Sequence, residues 1–319
     1  MLSPGCHPSG SGASPDVGKL VPMKLAALDL GSNSFHLLVA QTDDSSHLAK
    51  IGSDKQVLRL GAVVQEYGQL SEAAFANALA TVGRMARAAS ELGAERLMTV
   101  ATSALRDARN GRAFCDECAL QHGVQIELLS GDDEARLAYS GARSALPLTT
   151  GRVLVADVGG GSVELAVGDG PTCDSTQSLQ LGFLRLAHGF PLTEVGGAAR
   201  MARYVQLECE KARWQLGRFD TLLLSGGTAR AIGKLLGGGI ASASAGQVLA
   251  LCDELTGLSF DALVARGVDR QRATTLAAGA AVISGLVAGF GQRELRISPR
   301  GLREGVILRE LFARATRAA

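Results

Sequence analysis

An excess of charge of either sign is missing from this chain: 32 Lys and Arg balance 31 Asp and Glu, leaving a formal net charge of +1. That balance excludes the basic surface of a general nucleic-acid binder or of a protein held on an anionic membrane, so any polyanion must be drawn by a local patch. Cysteine is sparse as well. Cys6, Cys115, Cys118, Cys173, Cys209 and Cys252 are too scattered along 319 residues to form a disulfide framework, and they read as free thiols in a reducing cytoplasm. Cys115, Cys118 and His122 form one C-x2-C-x3-H group, but the second half-site of a structural zinc is absent, so they read as residues sharing a helix face. Residues 1–22 lack the apolar core of a secretory signal; rich in Gly, Ser and Pro, they read as a flexible tail, with Met23 an alternative start. The uncharged run Ala273–Gln292 approaches the length of a bilayer span, yet its Ala, Gly, Thr and Ser content fits a tightly packed internal helix, and no membrane partner is expected. What remains is an ordinary globular composition, 46% hydrophobic and 20% charged, on a chain long enough for two domains.

The most informative feature is a repeat. Leu25–Ala40, LAALDLGSNSFHLLVA, is echoed by Val153–Gly168, VLVADVGGGSVELAVG, at a spacing of 128 residues, so that Asp29, Gly31, Ser34 and Leu37 align with Asp157, Gly159, Ser162 and Leu165. Each copy reads as a β-hairpin with an aspartate and a glycine-containing turn at its mouth. Backbone N–H groups of such a turn surround a phosphate, and the aspartate holds a hydrated cation against it. Duplicated, the device predicts two related domains gripping phosphate across a cleft.

Periodicity then predicts a third strand at Lys55–Leu60 and a turn region in LGAVVQEYGQLS. It gives a helix over Ser71–Leu92 with Ser71 as N-cap, a strand at Arg96–Ala101, a helix over Ala104–Cys118 and a strand at Val124–Leu129. A helix with an acidic first turn follows at Asp132–Ser144. The turn-rich link Pro147–Gly151 is the expected boundary, giving a first domain over 23–147 and a second over 148–319. The second half reads as three strands through Gln180, helices across Leu192–Leu216, a strand at Thr221–Ser225, helices to Phe290, a strand at Leu295–Ile297 and a last helix over Arg303–Thr316 that could pack back on the first domain. The whole is an α/β chain with duplicated mixed sheets.

Four further segments carry chemistry: ATSALR at Ala101–Arg106, with Thr102, Ser103 and the cation Arg106; SGDDEARL at Ser130–Leu137; LSGGTARAI at Leu224–Ile232, a glycine pair opening a helix; and SPRGLREGVI at Ser298–Ile307. A strand leading into a helix N-terminus is a generic anion seat, here Gly226, Gly227 and Thr228, although the glycines could serve only helix–strand packing.

With LRLG at Leu58–Gly61 and LGFLRL at Leu181–Leu186, these segments resemble, in order from Met23 to Leu311, the exopolyphosphatase and guanosine pentaphosphate phosphohydrolase family. The resemblance implies two ribonuclease-H-like domains around a cleft, the fold of actin, sugar kinases and heat-shock chaperone ATPases. It implies hydrolysis of terminal phosphoanhydrides with Mg2+, Mn2+ being an alternative. Matching positions make Glu134 the general base and Glu164 the second cleft carboxylate. Phosphate would be bound by Gly31, Ser32, Asn33, Ser34, Gly159, Gly160, Gly161 and Ser162, with Arg106 neutralising charge. Asp157 is the first choice as metal-linked carboxylate, with Glu164 and Asp29 acting through water. Asp132 and Asp133 read as solvated helix-start charges that could still raise the pKa of Glu134, and His36 reads as structural.

Three departures stand out. The family usually reads GGTAT where this chain has Arg230 at the last position; its Arg-Ala-Asp is Arg272-Ala273-Thr274 here; and the chain carries no His-Asp region like that of longer members. The leading expectation is an exopolyphosphatase acting on inorganic polyphosphate. The alternatives are a guanosine pentaphosphate 5′-phosphohydrolase using the same site, or a non-catalytic phosphate or nucleotide sensor; a homodimer is left open.

Overall fold

The computed structural model describes residues 23–42, 47–147, 151–237 and 242–318. The expected N-terminal tail, and residues 148–150 of the expected boundary, lie outside the described residues.

In the first half, β1 (Met23–Leu30) and β2 (Ser34–Thr42) form an antiparallel hairpin with Asp29 opposite His36. Both strands are apolar along most of their length because both faces of the sheet are covered. β3 (Leu48–Val57) adds an edge, followed by α1 (Leu60–Tyr67), α2 (Glu72–Glu91), β4 (Arg96–Ala101), α3 (Ser103–Asp107), α4 (Gly111–His122), β5 (Ile126–Leu128) and α5 (Gly131–Arg143). The sheet order is β3-β2-β1-β4-β5, with β4 and β5 parallel to β1.

The second half runs β6 (Val153–Val158), β7 (Val163–Gly168), β8 (Ser175–Leu179), α6 (Phe183–Gly189), α7 (Gly197–Leu216), β9 (Thr221–Ser225) and α8 (Gly226–Leu235). It continues through β10 (Ser242–Ser244), α9 (Ala245–Gly257), α10 (Phe260–Ala265), α11 (Arg270–Phe290), β11 (Glu294–Ile297) and α12 (Leu302–Ala318). Its sheet, β10-β11-β9-β6-β7-β8, repeats the first order from β8 to β11 and adds β10 antiparallel at the edge. Two copies of one mixed-sheet topology meet the expected ribonuclease-H-like arrangement.

Several elements depart from the expected outline. β3 begins at Leu48, because an edge strand written LAKIGSDKQV exposes much of its surface and carries no apolar alternation. The expected turn region after Leu60 is helix α1, and the expected helix over 104–118 breaks at Ala108–Asn110 into α3 and α4. Elsewhere local chemistry decides: the Ser71 and Ser130 hydroxyls accept from Ala74 N and Asp133 N to open α2 and α5. α11 is long and apolar enough to cross a membrane by composition, but 78% of its apolar window is buried inside the protein against α7 and α9. Cys115 and Cys118 are buried on α4, and no metal-binding cluster of His, Cys, Asp or Glu occurs among the described residues.

Each sheet has its own core, and α5 lies between the two. Its Ala135, Tyr139 and Ala142 pack on Val153, Val155 and Leu223 of the second sheet, whereas Leu137 packs with Leu25, Leu38 and Val306 of β1, β2 and α12. α12 crosses α5 with backbones nearly touching. A Cβ at Gly141 would stand 1.9 Å from the Gly301 carbonyl oxygen, and one at Gly305 would stand 1.9 Å from that of Leu137. Side chains there would force the helices apart. Gly141→Ala and Gly305→Ala should each lower stability by about 1–3 kcal/mol, as overpacking does, and urea unfolding with unchanged midpoints would refute this contact.

Candidate active site

The two repeated turns face each other at the mouths of β1–β2 and β6–β7. Asn33 O accepts from Leu58 N (3.0 Å) and Arg59 N (2.9 Å), while Ser32 O accepts from Gly61 N (2.8 Å). Across the cleft Gly160 O accepts from Leu184 N (2.9 Å) and Arg185 N (3.3 Å), and Gly159 O from Phe183 N (3.3 Å). Thus the LRLG and LGFLRL segments do equivalent work, tying back the loop carbonyls at the starts of α1 and α6. The N–H groups of Ser32, Asn33, Gly160 and Gly161 have no acceptor among the described residues, which leaves them for an anion. Gly159 does not join them, since its N–H donates to Ser162 O (3.1 Å). Ser32 Oγ shares a 2.7 Å hydrogen bond with Ser103 Oγ and accepts from Ala104 N, anchoring the first loop on α3.

Between the loops lies a cleft with about 770 Å³ of open space, lined by both turns and by Asp29, His36, Glu134, Asp157, Glu164, Arg230, Arg272, Arg303 and Glu304. Glu134 enters from the first turn of α5, where the Ser130 cap turns it inward, and its Oε2 accepts from Arg106 Nη1 at 3.0 Å. Arg106 is itself fixed by donation to Leu129 O (3.0 Å). Glu164, on β7, accepts from Ser178 Oγ at 2.9 Å, and Asp157 from Ser225 Oγ at 2.7 Å. Burial pushes the Glu134 carboxyl well above the ordinary carboxylate range, Glu164 adds to the rise, and Arg106 opposes it. Burial likewise raises Glu164 and Asp29 to about 7 each, with Asp157 adding to both. His36, bonded to Ser34 Oγ at 2.7 Å, is held far below its usual range by burial and by Arg303, so it stays neutral.

Across this site a protein-family model described as the Ppx/GppA phosphatase family matches residues 38–313. The chain belongs to that family. It is similar to Exopolyphosphatase 1 of Mycobacterium tuberculosis, 30% identical over 312 residues and covering 92% of this chain and 90% of that one. A 167-residue stretch is 36% identical to the guanosine-5′-triphosphate,3′-diphosphate pyrophosphatase of Vibrio vulnificus, spanning 52% of this chain and 33% of that protein. Among solved structures, the Aquifex aeolicus Ppx/GppA family member superposes with a TM-score of 0.79 at 26% identity, covering 92% of this chain and 99% of that chain.

Within this Ppx/GppA protein the expected residues fall into three groups. Both loops, Asp29, Glu134, Asp157, Glu164, Gly226 and Gly227 line one cleft, with Arg106 reaching Glu134 from its edge. Thr228 is not among the lining residues: its side chain packs close to Gly279 of α11, and its Oγ1 is buried without a partner. Asp132 accepts from Thr176 and Asp133 from Ser130 and Arg136, both outside the cleft. The expected acidic neighbours therefore do not raise Glu134; burial and Glu164 do. Arg272 and Arg303, which the sequence marked only as members of the Arg-Ala-Thr and SPRGLREGVI segments, line the cleft with Arg230, and Lys55, which the sequence did not mark, lies opposite the cleft residue His36.

The carboxylate set suits a hard cation. Asp29 Oδ1 is a buried atom without a partner, and Asp157 faces the same space. Lacking a closed cage, this pair fits an ion that keeps several waters and takes its remaining oxygens from substrate phosphate, as Mg2+ does.

Raised carboxyls link stability to pH. Asp29 and Glu164 keep their protons to about pH 7 when folded, whereas unfolded carboxyls release theirs near pH 4. Across that window the folded state binds more protons, so stability is full at the acid end and falls as pH rises through 7. In metal-free urea titrations Glu164→Gln should flatten this fall, by on the order of 2 kcal/mol at pH 8 relative to pH 4. An unchanged pH profile would mean that Glu164 ionises normally.

Proposed function

We propose that this protein is an exopolyphosphatase: it hydrolyses the terminal phosphoanhydride of inorganic polyphosphate and releases orthophosphate. The observation that carries the reading is Glu134, a buried carboxylate set against Arg106 and directed into a cleft between two loops whose free N–H groups suit phosphate. The names of the mycobacterial and other family relatives support the substrate class. The 36% identical stretch of the Vibrio protein favours a second reading, removal of the terminal 5′-phosphate of guanosine pentaphosphate at the same site.

The chemistry follows from charge. A polyphosphate end repels an attacking water, so the site must neutralise the phosphate and orient the nucleophile. Loop N–H groups of Ser32, Asn33, Gly160 and Gly161 hold the terminal phosphoryl oxygens, and Arg106 offsets their charge. Water, polarised by Glu134, attacks the terminal phosphorus in line with the bridging oxygen. Its proton passes to the Glu134 carboxylate, the P–O bond breaks, and the electron pair leaves on the shortened chain. Burial makes Glu134 a stronger base than an exposed carboxylate, and the Arg106 guanidinium favours its ionised form. Glu164, oriented by Ser178, holds a second point of the water network. Mg2+, held by Asp157 and Asp29 through oxygen and water, would neutralise the bridging and non-bridging oxygens. We assign residues 23–147 and 148–319 to two domains and place the protein, with its free thiols, in the cytoplasm.

Orthophosphate release with Mg2+ from short and long polyphosphate, guanosine pentaphosphate and ATP tests the reading. Polyphosphate should be fastest, and Glu134→Gln should lower kcat by about 10²–10⁴-fold with little change in KM, the range expected for a lost general base. A preference for guanosine pentaphosphate would select the second reading, and a fully active Glu134→Gln protein would remove Glu134 from the chemistry.

A further inference from the structure

Strand register sets the charges of the cleft side by side: Glu164 lies opposite Asp157 across β7 and β6, and Asp29, His36 and Lys55 lie in line across β1, β2 and β3. Glu134 and Glu164 act on each other, with Arg106 as their cationic neighbour. Asp29 and Asp157 each lie within the field of both Arg230 and Arg303. Arg230, Arg272 and Arg303 line the same cleft, with Glu304 beside them; Arg230 Nη1 and Asp157 Oδ1 both lie within 4.0 Å of where a Cβ on Gly301 would stand, and Lys55 sits opposite His36 on β3. These four cations come from four elements, β3, α8, α11 and α12, so the cluster is built by the fold rather than by a local run of charge.

What marks Arg230, Arg272 and Arg303 is that they line the cleft half-buried and yet, among the described residues, hold no carboxylate. Arg106, Arg185, Arg152 and Arg309 each hydrogen-bond a carboxylate. Among the described residues the guanidinium groups of Arg230, Arg272 and Arg303 and the Lys55 ammonium make no hydrogen bond or ion pair with any carboxylate. Half-buried cations without a partner carry the cost of burial and repel one another. A polyanion lying along the cleft removes both costs, and Arg offers each phosphate a planar pair of donors.

We propose that Arg230, with Arg272, Arg303 and Lys55, forms a distal phosphate subsite that receives phosphates further along the chain than the one attacked at Glu134. The inference rests on the exopolyphosphatase reading and deepens it, with Arg230 setting a preference for an uninterrupted phosphate chain. A guanosine pentaphosphate molecule bound by its 5′ end offers only three phosphates before an uncharged ribose. Long polyphosphate offers an anionic group at every position of the cleft. Arg230 is the member by which this chain departs from the GGTAT pattern, and it lines the cleft beside Gly301 together with Asp157.

Arg230→Thr and Arg230→Lys test the assignment, with thermal unfolding confirming that each variant folds. For Arg230→Thr, KM for long-chain polyphosphate should rise about tenfold or more, the loss expected for one charge-assisted contact, with kcat nearly constant. KM for tripolyphosphate and guanosine pentaphosphate should change less than twofold, and Arg230→Lys should recover part of the long-chain affinity. Calorimetry on the Glu134→Gln background, without metal, should show the same selective loss of long-chain polyphosphate binding. Equal weakening of all three ligands, or no weakening of any, would overturn the distal subsite. Should the parent protein release no orthophosphate from polyphosphate, the functional reading fails on its own, and calorimetry still decides whether Arg230 binds long chains.

Discussion

The near-contact of α5 and α12 backbones at Gly141, Gly301 and Gly305 is the constraint on which the site depends. α5 delivers Glu134, and α12 delivers Arg303 and Glu304, to one cleft from opposite directions. Their crossing also occupies the space between the two sheets, since α5 packs on the second sheet through Tyr139 and both helices pack on the first through Leu137 and Val306. The distance between base and cations is therefore set by backbone contact, which is less compliant than side-chain packing. Any relative motion of the two halves must carry this helix pair with it. Arg185 adds a second tie nearer the loops, bonding the Gly161 carbonyl of its own half and Asp107 and Gln65 of the other.

Held in place this way, the carboxylates have consequences that exposed ones would lack. Glu134 and Glu164 cannot both ionise cheaply in a buried space, so their protons are held tightly, as the proposed general base requires. Arg106 moderates that effect at one point only, because its second hydrogen bond fixes it to Leu129 O. The cation cluster then does the opposite work. In the proposed reaction its cations would attract the polyanion and lower the field that its charge imposes on the attacking water. Gathering of these charges in one cleft lets a neutral chain, net +1, present a strongly charged site.

Much of this was legible because the repeat is local. Asp29, Gly31–Ser34, Asp157 and Gly159–Ser162 declare two hairpin mouths within short stretches of sequence, and Ser71 and Ser130 declare their helices through cap chemistry. Illegible features depended on contacts between distant segments. β3 hid because an edge strand needs no apolar alternation, and α1 hid because LGAVVQEY is short and opens at Arg59, a non-glycine residue in the left-handed region (φ 53°). The Ser162 carbonyl claims the Gly159 N–H and Thr228 packs close to Gly279, which no spacing rule reveals. Lys55 looks like an ordinary strand-edge charge until β3 pairs it opposite His36.

Why the two loops differ, SNS in one and GGG in the other, follows from their approach. A Cβ at Gly161 would stand 2.0 Å from Ser103 Oγ and 2.7 Å from Ser32 Oγ, so the second loop is pressed against the serine pair that anchors the first. Two side-chain-bearing loops would collide there, and two glycine loops would leave Ala104 N without the Ser32 hydroxyl that it bonds. One loop carries the side chains and the other provides the clearance. Duplication supplied the symmetric frame of sheets and hairpins, while closing that frame around a phosphate required the copies to diverge at the residues where they touch. The same asymmetry extends outward to the helix starts, since α5 brings a carboxylate to the first loop and α8 brings Arg230 to the second half of the cleft.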